Sequence, residues 1–303
     1  MSHDRSTWIL RQKIYEKIFL VVSVFFLICS GLVLGALLLD LAQSGTSRIS
    51  WNLFSNFPSR FPEKAGILSA WVGTLLVMLV TCLAAIPLGV AAGIYLEEYA
   101  PKNRITTLIE INISNLAGVP SIVFGLMALG IFVYKFALGQ SVLTAGLTLA
   151  LLILPIIIVT TREAIRAIPL SIREAAYALG ATKWQVTKDH VLPYSLGGVL
   201  TGIIIAMSRA IGETAPLVTI GALTFIAFLP PSPVQTTAPF INFDWLNSPF
   251  TVLPIQMFNW VSRPDPEFHK NAAAAGLVLL IITVSMNAIA IFLRVQFRRR
   301  TRW

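Results

Sequence analysis

Ser171–Pro193, SIREAAYALGATKWQVTKDHVLP, is the longest polar interval with strongly apolar sequence on both sides. It carries two helix-start signatures in succession. Ser171 and Glu174 have the spacing of a capping box, in which the hydroxyl takes a backbone N–H and the carboxylate reaches back to the cap. Thr182 and Gln185 repeat that spacing. Gly180 lies between them, where a helix can end in a left-handed residue. The pattern predicts a helix, a sharp turn, a second short helix and a stop at Pro193.

Around this elbow the composition is that of an integral membrane protein. Of 303 residues, 56% are hydrophobic and 12% charged, and mean hydropathy is +0.77, whereas soluble domains carry about 25% charged residues. A net charge of +9 could point to nucleic acid, but in a membrane chain basic residues mainly set orientation. Cys29 and Cys82 both fall in apolar runs without metal or redox spacing, as buried small hydrophobes do. A polar tail, residues 1–17, precedes a first transmembrane helix at 18–41 with an uncharged run Ile18–Leu39. A cleaved signal peptide would have a shorter apolar core and a small-residue cleavage site, which Asp40-Leu41-Ala42-Gln43 does not offer. Further spans are expected at about 67–95, 105–134, 141–160, 197–221 and 272–293, with a basic tail at 296–303. The expected fold is all-α, with six transmembrane helices.

Lys and Arg divide unequally between the two ends of such a bundle. Sixteen fall on the side of both tails, the 102–104 turn and the elbow, six on the other, and Arg209 lies within a span. The positive-inside rule makes the first side cytoplasmic, with both termini and the elbow inside. The chain has no GxxxxGK[ST] phosphate loop and no extramembrane region large enough to hold an ATPase.

Three stretches carry candidate chemistry. The elbow has a helix–turn–helix look, but its short tethers to two spans leave no room to enter a DNA groove. A plain connecting loop needs no such capping, so a docking element for a cytoplasmic partner fits better. In Ser208-Arg209-Ala210-Ile211-Gly212-Glu213-Thr214-Ala215-Pro216, Arg209 and Glu213 are four apart and can pair on one helix face. That pair is either a structural tie or part of an anion path, in which a planar guanidinium receives an oxyanion and Glu213 neutralises it between passages. Ser208 and Thr214 flank the path. Asn112-Ile113-Ser114-Asn115-Leu116-Ala117-Gly118-Val119-Pro120-Ser121 sets amides and hydroxyls beside Gly and Pro. It reads either as helix–helix glue or as a broken helix whose Asn112, Asn115 and Ser121 line a cavity.

Glu174-Ala175-Ala176, three residues, Gly180, nine residues, then His190-Val191-Leu192-Pro193 resembles the EAA motif of type I ABC-transporter membrane subunits, EAA-x3-G-x9-I-x-LP, departing only at His190. The resemblance implies a type I ABC-importer permease fold over 67–295. It makes 171–193 the coupling helix segment, with Glu174, Ala175, Ala176, Gly180, Leu192 and Pro193 docking the ATPase. Glu174, Arg173 and Lys183 can form polar contacts there. With NLAGVPSIVFG, SRAIGETAP and NSPFTVLPIQMFNWVSRP (Asn247–Pro264), the chain is similar to the PstA-type permeases of bacterial phosphate transporters from about Ile67 onward. That resemblance implies a multi-pass protein of the bacterial inner membrane that moves inorganic phosphate. It implies a sister PstC-type permease, a PstB-type ATPase dimer holding ATP and Mg, and a PstS-type periplasmic phosphate-binding protein, with no cofactor in this chain and no nucleic acid. The binding protein is expected on the outer connection Thr224–Lys270, with its Trp245 and Trp260. In this reading the chain is not an enzyme. A permease for another oxyanion or small solute, and an ion-coupled secondary transporter, are the competing readings. A membrane enzyme is not supported, because no His, Cys or carboxylates cluster at catalytic spacing.

Overall fold

The computed structural model describes residues 2–234, 240 and 242–300; residue 1, parts of the outer connection (235–239 and 241) and the end of the basic tail (301–303) lie outside the described residues. Twelve α-helices follow in order among these residues: α1 Ser2–Thr46, α2 Trp51–Ser55, α3 Leu68–Ile94, α4 Arg104–Leu116, α5 Ser121–Ala128, α6 Val142–Arg166, α7 Leu170–Ala178, α8 Lys183–Gln185, α9 Leu192–Ile211, α10 Ala215–Thr219, α11 Leu253–Val261 and α12 Pro266–Arg300. Five helical runs are long and apolar enough to cross a membrane, and α4 with α5 makes a sixth when the bent pair counts as one span.

The bent pair does count as one crossing, and the packing shows why. Gly146 of α6 lies against Val80 of α3, Gly89 against Ile157, and Gly93 against Thr161. Both numbers rise together, so α3 and α6 are parallel neighbours. A chain that leaves the end of α3 and enters the start of α6 must cross back between them. By contrast α9 runs antiparallel to α6, with Gly198 on Ala164 and Gly202 on Thr160. α1 and α12 are antiparallel too, Gly45 meeting Ala273 and Gly276 meeting Leu41. Small residues at these contacts let backbones approach where lipid supplies no hydrophobic drive between helices. The elbow therefore lies at the same end as the start of α1 and the finish of α12.

The main core lies between α3, α5, α6, α9 and α10, from Val77 through Leu149, Ile153 and Ile157 to Ala206, Ile211 and Leu217. A second core at the opposite end from the elbow joins Ile67 and Ala70 to Trp260, Phe268 and Ala274. There the outer connection folds over the helix ends: Leu253 N donates to Thr74 Oγ1 at 2.9 Å and Val142 N to Ser248 O at 3.0 Å.

Several local expectations are resolved or changed. Of the two forms open to the 105–134 stretch, continuous or broken, the structure has the broken one, bent by 107° at Ala117–Pro120. The 197–221 span starts earlier and ends at Ile211, with α10 resuming after Gly212–Thr214. Pro193 does not stop a helix. It sits in the first turn of α9 in continuous helix from Lys183, because Val186–Val191 forms a π-turn in which Leu192 N donates to Thr187 O, five residues back. The widened turn carries away the carbonyl that the proline ring would meet.

Candidate functional site

Two regions are built around functional groups: the elbow at one end and a helix break in the middle of the bundle. At the elbow, α7 is not started by Ser171. Its cap position is Pro169, and no side chain caps it. Ser171 thereby stands two residues past the cap position, inside the helix, so the Ser171–Glu174 box does not form. The second box does form. Thr182 Oγ1 accepts from Gln185 N at 3.4 Å while Thr182 N donates to Gln185 Oε1 at 2.8 Å. Gly180 has φ +83°, the left-handed conformation that reverses the chain between the two helices.

The motif residues split by direction. Ala176 is buried against Ile165, Ile168, Val186 and Val191, so it anchors the elbow to its own subunit rather than meeting a partner. Leu192 and Pro193 are half-buried inside the helix. Arg173, expected to make polar contacts with a docked partner, makes them within the chain: it donates to Glu98 Oε1 at 2.9 and 3.2 Å and to the Ile168 and Ile165 carbonyls. Lys183 lies over the Tyr99 ring at 5.1 Å. Glu174, Ala175 and Gly180 face outward. Beside them stand Leu179, 89% exposed, Trp184, 61%, Leu170, 70%, and Tyr177. An apolar patch of this kind outside the hydrocarbon layer calls for a protein partner.

Under the elbow lies a cluster that the sequence reading missed. Arg166 grips Glu97 with two bonds of 3.0 and 3.1 Å. Arg162 reaches Glu97 at 3.4 Å and Glu110 at 2.7 Å. With Arg173–Glu98, three arginines meet three carboxylates drawn from α6, α7, α4 and the π-turn Tyr95–Tyr99 that ends α3. The signal was the adjacent Glu97-Glu98 at the end of a span and the lone Glu110 in an apolar stretch.

The mid-bundle region is formed where α9 ends. Carrying the α6–α9 register up by two turns sets Arg209 level with about Ile153, near the middle of α6. Arg209 Nε and Glu213 Oε1 are 3.3 Å apart. Glu213 stands beyond the last turn, its N–H donating to Ala210 O at 3.2 Å. The pair is thus formed across a helix end instead of along a helix face. Arg209 is 39% exposed in its side chain and Glu213 is 18%, so the guanidinium keeps donors facing open space. Ser208 is turned to α12, where its hydroxyl meets Asn287 Oδ1 at 2.5 Å; within its own helix it lies 2.7 Å from Ile204 O. Asn287 is a further residue at this break that the sequence reading passed over. Thr214 caps α10 through its backbone carbonyl, which accepts from Leu217 and Val218. α10 is held against α5, Gly125 lying on Pro216 and Thr219.

Asn112 and Asn115 do not join this region. Both are exposed on α4, and Asn112 Nδ2 donates to Leu108 O in its own helix. Ser121 opens α5 and is half-buried. At the outer end, Trp245 and Trp260 face the chain's own core, at 6% and 0% exposure, and are not available to a partner. Among the described residues the outward aromatics of the outer connection are Phe225, Phe228, Phe240, Phe243 and Phe258. No group of three His, Cys, Asp or Glu able to hold a metal occurs among the described residues.

Comparison with known proteins places this geometry. Residues 85–303 match the family described as binding-protein-dependent transport system inner membrane component. The phosphate transport system permease protein PstA of Yersinia pestis is 33% identical over 295 residues, covering 96% of this chain and 92% of that one. The protein of the same name from Haemophilus influenzae is 30% identical over 95% of this chain and 96% of its own. Among solved structures, a chain of a bacterial alginate ABC transporter superposes with a TM-score of 0.62 at 12% identity, over 92% of this chain and 93% of that one. At that identity the likeness is one of fold.

Proposed function

The chain belongs to the family of binding-protein-dependent transport system inner membrane components, and from that membership we propose that it is the phosphate-conducting permease subunit of an ATP-driven importer. The observation that carries the substrate is Arg209. It is a guanidinium at mid-depth, partly open, and paired at 3.3 Å with a carboxylate that stands on a helix break. An arginine inside a span is costly, about 2.5–3.5 kcal/mol on insertion scales, and is retained where it serves a pathway. Glu213 holds Arg209 when no anion is present. An arriving oxyanion takes the guanidinium's donors, and the return of Glu213 helps release it. The PstA names of relatives matched along more than nine-tenths of the chain favour phosphate over other oxyanions.

In this proposal residues 67–295 form the permease domain and the first helix is an added outer span. The elbow 171–193 and both termini face the cytoplasm. The exposed face Glu174, Ala175, Tyr177, Leu179 and Trp184 docks the partner ATPase, which binds ATP and Mg and does the hydrolysis. A sister permease completes the pathway, with Asn112 and Asn115 of α4 as its lining or contact residues, and Ser121 nearby. A periplasmic phosphate-binding protein meets the outward aromatics of the outer connection. The reading is tested by Arg209→Gln in the assembled transporter reconstituted in proteoliposomes with labelled phosphate. Uptake is expected to vanish while the ATPase co-purifies at wild-type ratio. Wild-type uptake by the variant, or equal uptake of sulfate by the native protein, would refute it.

A further inference from the structure

We propose that the Glu110–Arg162 ion pair is the positioning link that carries movement of the elbow to the broken segment α4–α5, and so to Arg209 and Glu213. The proposal rests on the functional reading above in taking the elbow as the place where an ATPase acts.

The argument starts from what orientation and docking leave unexplained. The positive-inside rule asks only that cations lie on one side, and docking asks for outward groups. Neither accounts for two arginines enclosed against carboxylates at the edge of a larger cluster, with side-chain exposures of 10% for Arg162, 13% for Arg173 and 8% for Glu98, while Arg166 closes the cluster from the exposed side. An enclosed ion pair is weak as a source of stability, since apolar packing of the same volume does as well or better. What it supplies is a fixed geometry among the elements it joins.

Those elements form a series. Arg173 on α7 holds Glu98 at the end of α3, and the adjacent Glu97 holds Arg166 and Arg162 on α6. Arg162 then holds Glu110 on α4. No residue of α4 is buried, and among the described residues Glu110–Arg162 is its one polar side-chain link to another helix. α4 is therefore steered by this pair and by its two chain ends. Its far end is the 107° bend at Ala117–Pro120, which has the form of a hinge in which a few residues absorb the rotation. Past the hinge, Gly125 of α5 lies on Pro216 and Thr219 of α10, just beyond Glu213. A shift of the elbow is thus passed on by contact at every step, with the hinge as the element that both sites bias.

The test uses the complete transporter in proteoliposomes, reading phosphate moved per ATP hydrolysed. Glu110→Gln keeps shape and removes the charge. The variant is expected to retain its ATPase subunit and hydrolyse ATP, while phosphate moved per ATP falls about tenfold, within the usual range of coupling free energies. Glu110→Asp, which keeps the charge, should recover most of the loss. A wild-type ratio in Glu110→Gln overturns the proposal, and so does loss of the ATPase subunit, which would make the pair a folding or docking element. Spin labels at the exposed Ile109 and Met127, on the two sides of the hinge, give a second reading. Their separation should change on ATP binding in the native protein and stay fixed in Glu110→Gln; a native distance that does not respond to ATP also overturns the link. If the native transporter hydrolyses ATP and moves no phosphate, the substrate reading fails while the label distances still decide the link.

Discussion

Gly125 has no side chain because Pro216 and Thr219 of α10 occupy the space where one would be. A methyl group there overlaps a proline backbone that cannot yield easily, so Gly125→Ala is expected to force α10 away from α5. Overpacking of this kind costs about 1–3 kcal/mol, and the shift falls two residues from Glu213. Thermal unfolding should drop and phosphate uptake with it. Gly130→Ala is the control, since nothing lies within 4 Å of its added carbon; it should match the native protein in both assays. An equal effect from the two changes would show that glycine acts at 125 through chain flexibility and not through contact. At this scale the sequence is unevenly legible. Gly180 and the Thr182–Gln185 box were legible because each is a local rule, a left-handed turn and a reciprocal cap. Ser171 misled because the same rule was satisfied on paper while Pro169, with its φ of −56°, set the helix start two residues earlier. Arg173 misled for a different reason. Its partner Glu98 is 75 residues away, and no local rule reaches that far.

The elbow shows which part of an element a motif specifies. In Glu174-Ala175-Ala176 the first two residues face outward and the third is buried, so the motif encodes one outward and one inward face of a single helix. Leu179 lies outside the motif's fixed positions, yet at 89% exposure it is the most open large apolar residue among the described ones. Leu179→Glu should therefore leave folding unchanged, since it removes no internal contact, and should weaken association with the ATPase. Loss of one central apolar anchor at an interface typically costs 2 kcal/mol or more, about thirtyfold in affinity. Co-purification and light scattering of the complex would register it; undiminished association would remove this face from the docking surface. The breaks were less legible than the faces. Proline marked positions 120 and 193 equally in the sequence, but one bends the chain by 107° and the other passes through continuous helix. The difference is made by a π-turn ahead of Pro193, which has no sequence signature, and by the Gly118 and small-residue run ahead of Pro120, which does.

For the whole molecule, the number of crossings follows from contacts that no single segment reveals. By length and composition the helices give five spans or six. Parallel packing of α3 on α6 requires a return crossing between them, and ion pairs from Glu97 to Arg162 and Arg166 hold their finishing ends at one level. With six crossings the start of α1, the elbow and the finish of α12 share a side, which is the side to which the charge count in the sequence assigns sixteen of the lysines and arginines. With five, the elbow and the first turn of α3 would have to share a side, against the α3–α6 register. Cysteine labelling separates these cases. In a background with Cys29 and Cys82 replaced by Ala, single cysteines at Leu179 and at Trp51, which is 82% exposed at the opposite end, should react from opposite faces of the membrane. In right-side-out vesicles an impermeant maleimide is expected to label Trp51→Cys alone, and in inverted vesicles Leu179→Cys alone. Labelling of both from one face would break the parallel pairing of α3 with α6, and with it the route by which an ATPase at the elbow could move the helix break that holds Arg209.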